Sequence, residues 1–225
     1  SSESKRALAK SINSITARLT DEVGADTVMY YAKQMGIESP LRPVASIGLG
    51  SFDVSLYEMV GAYSAFVNEG IHAEPLLVSE IQDQNGNVIQ QFDPQIKRVI
   101  KKESAQLLLN MLQGTIYEGG TGSSLLWGDG ATLLPEKNRY APAFAGKTGT
   151  TSNHSDGWFM GMTTNLVTGV WVGGDDRSIH FRTGAYGEGS KTAMPLYRRF
   201  MLKVKGDPDL KQYHPVPFEK LDQKL

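Results

Sequence analysis

Three short runs of strand-forming residues in the last part of the chain constrain its fold most strongly. They span residues 144–151, 157–162 and 167–172 and are rich in Thr, Val, Trp and Phe, which favour extended backbone. The connecting segments, 152–156 and 164–165, consist of turn-forming residues and are short enough for an antiparallel meander. We therefore predict a three-stranded antiparallel sheet in this region.

Segments with helical periodicity lie on both sides of these strands along the chain. In the first segment, the polar cluster Ser11, Asn13 and Ser14 interrupts the apolar pattern and predicts a break. Ser55 and Glu58 form a capping-box sequence, which is typical of a helix N-terminus. Helices around a small antiparallel sheet indicate the α+β fold class. The predicted helices span residues 4–19, 26–35, 55–68, 104–117 and 192–204.

Local patterns predict three further features. Asn85-Gly86, between the apolar runs 76–81 and 88–92, predicts a β-hairpin with a type I′ turn. Residues 119–139 are rich in glycine and polar residues and are expected to form a long surface connection. The face of the last helix expected to be buried consists of Leu196, Phe200, Met201 and Val204.

The bulk properties exclude several classes of function. A formal net charge of −1 provides no electrostatic attraction to nucleic acid or to an acidic membrane surface. The absence of cysteine excludes disulfides, thiolate metal sites and a cysteine nucleophile. No apolar run is long enough to span a bilayer and no signal peptide opens the chain. We therefore expect any membrane anchor of a parent protein to lie outside this sequence.

The stretch APAFAGKTGTTSN, which begins at Ala141, permits two chemical interpretations. Gly146-Lys147-Thr148 ends the phosphate-binding pattern G-x-x-x-x-G-K-[ST], but Ala141 stands where the first glycine is required. The residues after Thr148 do not begin a helix, whose N-terminus the bound phosphate would need. A nucleotide-binding loop is therefore disfavoured.

The second interpretation is a strand that faces a substrate. Gly149 would let a ligand backbone approach closely, and the hydroxyls of Thr148 and Thr150, two residues apart, would share one face. Together they would hold a carboxylate while Lys147 supplies positive charge. The amide of Thr150 would be free to stabilise an oxyanion. K-T-G alone is too short to exclude an ordinary strand with a surface lysine.

The surrounding sequence favours the second interpretation. Serine acyl transferases use the elements S-x-x-K, S-x-N and K-T-G in this order, and Ser11-Ile12-Asn13 is an S-x-N that precedes K-T-G. The stretches ALAKSINSITARL, GKTGTTSNHSDGWFMGMT and TGVWVGG resemble the transpeptidase domain of class A (bifunctional) penicillin-binding proteins. The resemblance runs from about Lys5 to the last helix. It implies a β-lactamase/transpeptidase-like α+β fold with flanking helices, incomplete at its N-terminus.

The resemblance also implies an activity and a site. The activity is a peptidoglycan D,D-transpeptidase that crosslinks stem peptides through a serine acyl-enzyme. Ser11 would relay protons, and Asn13 would bind the amide side chain of the substrate. Lys147 would give electrostatic support to Ser11 and to the substrate. The strand that binds the substrate would comprise Thr148, Gly149, Thr150 and Thr151.

The implied partners and location follow from that activity. The ligands would be stem peptides ending in D-Ala-D-Ala and the β-lactams that acylate the same serine, with no metal or organic cofactor and no nucleic acid. The parent protein would act at the extracytoplasmic face of the bacterial membrane. It would contact the membrane only through an anchor absent from this sequence.

The sequence departs from the family at the nucleophile. The S-x-x-K should precede S-x-N by several tens of residues, and Ser2-Glu3-Ser4-Lys5 is interpreted as a coincidental match. We therefore expect residues 1–205 to be the C-terminal portion of a transpeptidase domain, with 206–225 as an irregular tail. We also expect the isolated chain to be inactive, and the N-terminal part of the same protein to be its partner.

Other activities stay open at this point. A non-catalytic binding or structural module with the same fold would differ by lacking an S-x-x-K upstream of Ser11. A D,D-carboxypeptidase or a β-lactamase would share the motifs, although no deacylating glutamate can be placed for the latter. Among the remaining side chains, those expected in the core or the cleft wall are Trp158, Phe159 and Trp171. Residues 175–177 are expected to form a solvated turn, and residues 181–189 to border the cleft.

Overall fold

The computed structural model describes residues 2–136, 138 and 140–220. Its helices are α1 Ser2–Lys10, α2 Asn13–Val23, α3 Ala25–Gln34, α4 Leu56–Val67, α5 Lys102–Tyr117, α6 Gly184–Gly187 and α7 Ala193–Gly206. Its strands are β1 Ile71–Ala73, β2 Glu80–Gln82, β3 Val88–Gln91, β4 Ile96–Arg98, β5 Ala145–Thr150, β6 Asp156–Met162 and β7 Val167–Gly173. The side chain of Ser2, part of the coincidental S-x-x-K, and residues 221–225 of the predicted tail lie outside the described residues.

The predicted meander is confirmed. Strands β5, β6 and β7 form an antiparallel sheet in that order, with Lys147 opposite Met160 and Trp158 opposite Trp171. Because side chains alternate along a strand, Trp158 and Met160 lie on one face of β6 and Phe159 lies on the other. Within the described residues β5 is an edge strand, so one side of the K-T-G segment has no strand partner.

Two apolar clusters hold this sheet between helices. On one face, fully buried Phe144 and Phe159 pack against Tyr197 and Met201 of α7. On the other face, Met162 packs in a cluster with side chains of α1, α4 and α5. Burial of a large apolar side chain contributes about 1.5–3 kcal/mol, so these contacts fix the position of β5 from both sides.

The predicted helices are confirmed, including the split of the first one. α1 ends before Ser11 and α2 begins at Asn13, where the polar cluster predicted a break. The capping box of α4 is also present, because Ser55 Oγ accepts from the Glu58 amide at 3.2 Å and a Glu58 carboxylate oxygen accepts from the Ser55 amide at 2.7 Å. The mixture of helices and antiparallel strands is the predicted α+β class.

The hairpin prediction is correct in pairing but wrong in turn type. β2 pairs with β3, yet only Gly86 has a positive φ (+84°), whereas a type I′ turn requires positive φ at Asn85 as well. The Gly86 amide donates to the Asp83 carbonyl at 3.1 Å, as in a type I turn followed by a left-handed glycine. An Asp83 carboxylate oxygen accepts from the amides of Asn85 and Asn87 at 2.8 and 2.9 Å, which favours this turn.

Two predictions of surface and core were wrong in part. The expected surface connection after α5 forms two 3₁₀ turns, and its Leu125 and Leu133 are fully buried beside α7. On α7, Leu196 and Phe200 are exposed, whereas Met194 and Tyr197 are buried with Met201 and Val204. The helix is rotated from the predicted orientation because the aromatic ring of Tyr197 packs against Phe159.

The segment after α7 is only partly irregular. It forms a 3₁₀ turn over Pro208–Tyr213, and the Phe218 amide donates to the carbonyl of Pro142 at 2.8 Å. This bond and the packing of the Phe218 ring hold the segment beside β5. None of the helices in the described part of the chain has the length and apolar composition needed to cross a bilayer.

Candidate active site

Ser11 occupies a strained backbone position between α1 and α2. Its amide donates to the Leu8 carbonyl at 3.1 Å, and the Ile12 amide donates to the Ala7 carbonyl at 3.0 Å. These two bonds define a Schellman motif, in which the residue at Ser11 must adopt the left-handed region. Ser11 has φ +56°, although glycine is the residue that this position favours. The motif turns the Ser11 side chain out of the helix and toward β5.

Lys147 connects the two sequence motifs. Its Nζ donates to Ser11 Oγ at 2.8 Å and to the Thr148 carbonyl at 3.0 Å, so groups 136 residues apart in the chain meet. Burial lowers the pKa of Lys147 to about 8, because the charged ammonium loses water on entering the site. The pKa of Lys147 therefore lies close to neutral pH, and its amine is held against the hydroxyl of Ser11.

Asn13 and Gly149 each lie two residues along the chain from a member of this pair. Asn13 is the first residue of α2 and is exposed, two residues after Ser11. Gly149 faces Trp158 across the sheet, where a Cβ would lie 3.1 Å from the Cβ of Trp158. A larger residue at Gly149 would therefore push against β6, while glycine leaves the strand surface open.

The threonines of the strand are engaged in hydrogen bonds. Thr148 Oγ1 lies 2.6 Å from Thr121 Oγ1, and Thr150 Oγ1 accepts from the Gly189 amide at 3.0 Å. Thr151 Oγ1 accepts from the Asp156 amide at 2.9 Å, which fixes the turn after β5. Segment 181–189 was expected to border the cleft; Gly189 contacts β5 through this bond, but the residues that line the cleft do not include this segment.

A cleft of about 670 Å³ lies between the helical side of the molecule and the sheet. Thr148, Gly149 and Thr150 line it together with Lys147. The opposite wall is mostly apolar and consists of Val28, Ala32, Ile37, Leu41, Ile47, Leu49, Phe52, Val54, Leu56, Met59 and Tyr63. Such a cleft, apolar with a few convergent polar groups, is typical of a ligand site.

The three aromatic residues of the sheet are placed as expected, in the core or in the cleft wall. Phe159 is buried in the core, while Trp158 and Trp171 line the cleft. Trp171 Nε1 donates to Asp156 Oδ1 at 2.9 Å. Partial burial opposes ionisation of Asp156, but bonds from Ser155 and Trp171 outweigh it and lower the pKa of this carboxyl.

Sequence reasoning missed residues that line the cleft and one that contacts β5. The predicted solvated turn contains Arg177, whose guanidinium pairs with Asp53 on the opposite wall. Thr121 was also missed, and its only sequence signal was its place in the glycine-rich stretch after α5. In the described residues no group of three or more His, Asp or Glu side chains is arranged to hold a metal ion.

An edge strand that carries K-T-G, bonded to the serine of an S-x-N between two helices, defines the β-lactamase and transpeptidase class of folds. The profile of the penicillin binding protein transpeptidase domain matches residues 2–201. The chain belongs to this family, and the predicted resemblance is confirmed.

Curated relatives and solved structures agree. The chain is 33% identical over 198 residues to penicillin-binding protein 1A of Aquifex aeolicus, covering 88% of this chain and 25% of the relative. It is 33% identical over 196 residues to penicillin-binding protein 1B of Haemophilus influenzae, covering 87% and 23%. The chain thus spans about a quarter of the length of these relatives.

Two solved structures share the fold at 25% identity. The crystal structure of penicillin-binding protein 1A from Haemophilus influenzae gives a TM-score of 0.79 over 97% of this chain and 35% of that one. The PonA1 protein from Mycobacterium tuberculosis in complex with penicillin V gives 0.74 over 97% and 59%. The predicted β-lactamase/transpeptidase-like fold is therefore confirmed.

Proposed function

We propose that this chain forms the S-x-N and K-T-G part of a peptidoglycan D,D-transpeptidase site. The observation that carries the proposal is the 2.8 Å bond from Lys147 Nζ to Ser11 Oγ, which joins the two motifs. Family membership and the penicillin V complex of PonA1 support it.

Ser11 and Lys147 carry the proton transfers in this proposal. Ser11 Oγ takes the proton of the attacking serine hydroxyl and passes it to the leaving nitrogen of the scissile peptide bond. Lys147 donates a hydrogen bond to Ser11 Oγ, so the oxygen keeps its lone pair toward the proton donor. Asn13, exposed at the start of α2, binds an amide of the stem peptide.

The strand residues hold the substrate. The Thr148 hydroxyl donates a hydrogen bond to the terminal carboxylate, and the Lys147 ammonium supplies positive charge nearby. Gly149 leaves space for the peptide backbone, and the amide of Thr150 stabilises the oxyanion. Thr151 fixes the end of the strand. Because β5 is an edge strand among the described residues, alternate amides point away from β6 and toward a ligand.

The reaction is an acyl transfer in two steps. The serine oxygen of an S-x-x-K segment attacks the carbonyl of the D-Ala-D-Ala bond, the C–N bond breaks, and the terminal D-Ala leaves with the relayed proton. An amine from a second stem peptide then attacks the ester and releases the serine. β-Lactams acylate the same serine. No metal or organic cofactor takes part.

The nucleophile comes from outside this chain in the proposal. Lys5, which completes the coincidental S-x-x-K, pairs with Glu118 at 2.5 Å on the surface of α1 and α5. The proposal assigns the functional S-x-x-K segment to an N-terminal part of a longer protein that acts outside the cytoplasm. Residues 1–205 would complete the transpeptidase domain with that part.

Labelling of the full-length protein with a fluorescent penicillin tests the site. Ser11→Ala should lower the acylation rate by about 10²-fold, because the proton relay is lost. Ser14→Ala is the matched control, since Ser14 is an exposed serine three residues after Ser11 and its substitution should leave the rate unchanged. Equal rates for Ser11→Ala and the unchanged protein would refute the assignment.

The 225-residue chain alone provides a second test. It should give no stable labelling, since the proposed nucleophile is absent. Stoichiometric labelling that disappears in Ser2→Ala would place the nucleophile in this chain and overturn that part of the proposal.

A further inference from the structure

The glycine-rich stretch after α5 lies between the α1–α2 segment that presents Ser11 and the strand β5 that carries Lys147. Thr121 donates its amide to the carbonyl of Ala9 at 3.0 Å, two residues before Ser11. Its hydroxyl lies 2.6 Å from the hydroxyl of Thr148 on β5. One residue therefore contacts both the segment that presents Ser11 and the strand that carries Lys147.

The preceding glycine makes this position possible. A Cβ on Gly120 would lie 2.5 Å from Thr115 Cα and 2.6 Å from the carbonyl oxygens of Ala9 and Thr115. These are backbone atoms of packed helices, so they cannot move aside for a side chain. Lys10 Nζ also donates to the Gly119 carbonyl, which ties the stretch to the end of α1. Thr121 is held in place by backbone contacts on both sides.

The hydroxyl pair has two possible proton arrangements with different consequences. A threonine hydroxyl has one proton and can accept through its oxygen. If Thr148 donates to Thr121, it has no proton left for a ligand. If Thr121 donates to Thr148, the Thr148 proton is free for a ligand bound along the open edge of β5. A bound carboxylate selects the second arrangement, and donation in a chain strengthens each bond.

We propose that Thr121 is a positioning residue that directs the hydroxyl proton of Thr148 toward the carboxylate of the ligand. This inference rests on the proposed function, in which Thr148 binds that carboxylate. Thr121 touches neither the ligand nor the reacting atoms. It acts through Thr148, and its effect is confined to ligands that carry the carboxylate.

The test compares two ligands on the full-length protein. Acyl-enzyme formation with benzylpenicillin and with its methyl ester, which lacks the carboxylate charge, is followed over time by intact-protein mass spectrometry. Thr121→Val removes the hydroxyl and keeps the shape, so the rate with the acid should fall about tenfold while the rate with the ester stays unchanged. Thr121→Ser should match the unchanged protein with both ligands.

Thr115→Val is the matched control. Thr115 is buried at the base of the same stretch, and its hydroxyl has no hydrogen-bond partner in the described residues. The variant should leave both rates unchanged. If Thr121→Val proves unfolded, the comparison is made with Thr121→Ala and in the Thr148→Val background, where a change at Thr121 should cause no further loss.

The outcomes separate this inference from the proposed function. An equal loss with acid and ester would show that Thr121 only holds the α1–α2 segment and β5 together, which would overturn the inference and leave the function standing. No loss with the acid, or a further loss in the Thr148→Val background, would also overturn it. If the protein without substitutions forms no acyl-enzyme with either ligand, both the inference and the proposed function are overturned.

Discussion

Because Ser11 has a left-handed backbone, Ser11→Gly should be more stable than Ser11→Ala, the reverse of the order expected for a serine within a helix. Ser11→Gly and Ser11→Ala both remove the hydroxyl and its 2.8 Å bond to Lys147, so the difference between them isolates the backbone. A non-glycine residue in the left-handed region costs about 1–2 kcal/mol, which Ala retains and Gly relieves. Gly lowers stability by about 0.4–1 kcal/mol through the greater freedom of the unfolded chain. The glycine variant should therefore be the more stable by about 1 kcal/mol.

The measurement is urea denaturation of the 225-residue chain, with the melting temperature as a second readout. For a chain of this size about 1 kcal/mol corresponds to roughly 2–4 °C. Both variants should also lose acylation in the full-length protein, so the more stable variant is no more active.

Ser14 provides the control for this experiment. It lies within α2, where backbone dihedrals are helical, so Ser14→Gly should be less stable than Ser14→Ala by about 1 kcal/mol. The order of the two variants is thus reversed at positions three residues apart. A Ser11→Ala variant as stable as Ser11→Gly, or more stable, would refute the assignment of backbone strain to Ser11.

Three further predictions concern titration and packing. Partial burial opposes ionisation of Glu58, but four hydrogen bonds from Ser39 and Ser55 outweigh it and lower its pKa to about 2. The stabilising contribution of Glu58 is therefore present above the unfolded pKa of 4.5 and is lost as the pH falls toward 2. Glu58→Gln should lower the free energy of unfolding at neutral pH by on the order of 1–2 kcal/mol. In urea denaturation at a series of pH values, the variant should lose less stability than the protein without substitutions as the pH is lowered. Burial lowers the pKa of Lys147 to about 8 from 10.5, so the unfolded chain binds more protons in this window and stability should rise with pH across it, a rise that Lys147→Met should abolish in the same assay. Gly161→Ala would place a Cβ 2.3 Å from the ring of buried Tyr197 and should reduce the free energy of unfolding by about 3 kcal/mol, whereas an unchanged melting temperature would show that α7 can shift.

Sequence patterns correctly predicted the elements whose structure depends on residues close together in the chain. The capping box at Ser55 depends on residues three apart, and the meander depends on turns of a few residues, so both are visible in the sequence. The same Glu58 carboxylate also accepts from Ser39, 19 residues away, through its amide at 2.6 Å and its hydroxyl at 2.7 Å. Nothing local to Ser39 indicates this bond, because it depends on how the segment before α4 folds back.

The missed features depend on contacts distant in sequence. The predicted orientation of α7 was wrong because the ring of Tyr197 packs against Phe159 in the core, a contact between residues far apart in the sequence. The turn at Asn85 was wrong because the Asp83 side chain stabilises a different geometry. Thr121 was missed because its role comes from two contacts that only the packing of α1, α5 and β5 creates.

The ion pair between Asp53 and Arg177 joins two segments of the cleft lining without locking them together. Both side chains are largely exposed, and an exposed pair contributes at most about 1 kcal/mol. At that value roughly one molecule in six has the pair broken at any moment. A conformer in which these two segments of the cleft lining are released from each other is therefore already common before any ligand binds.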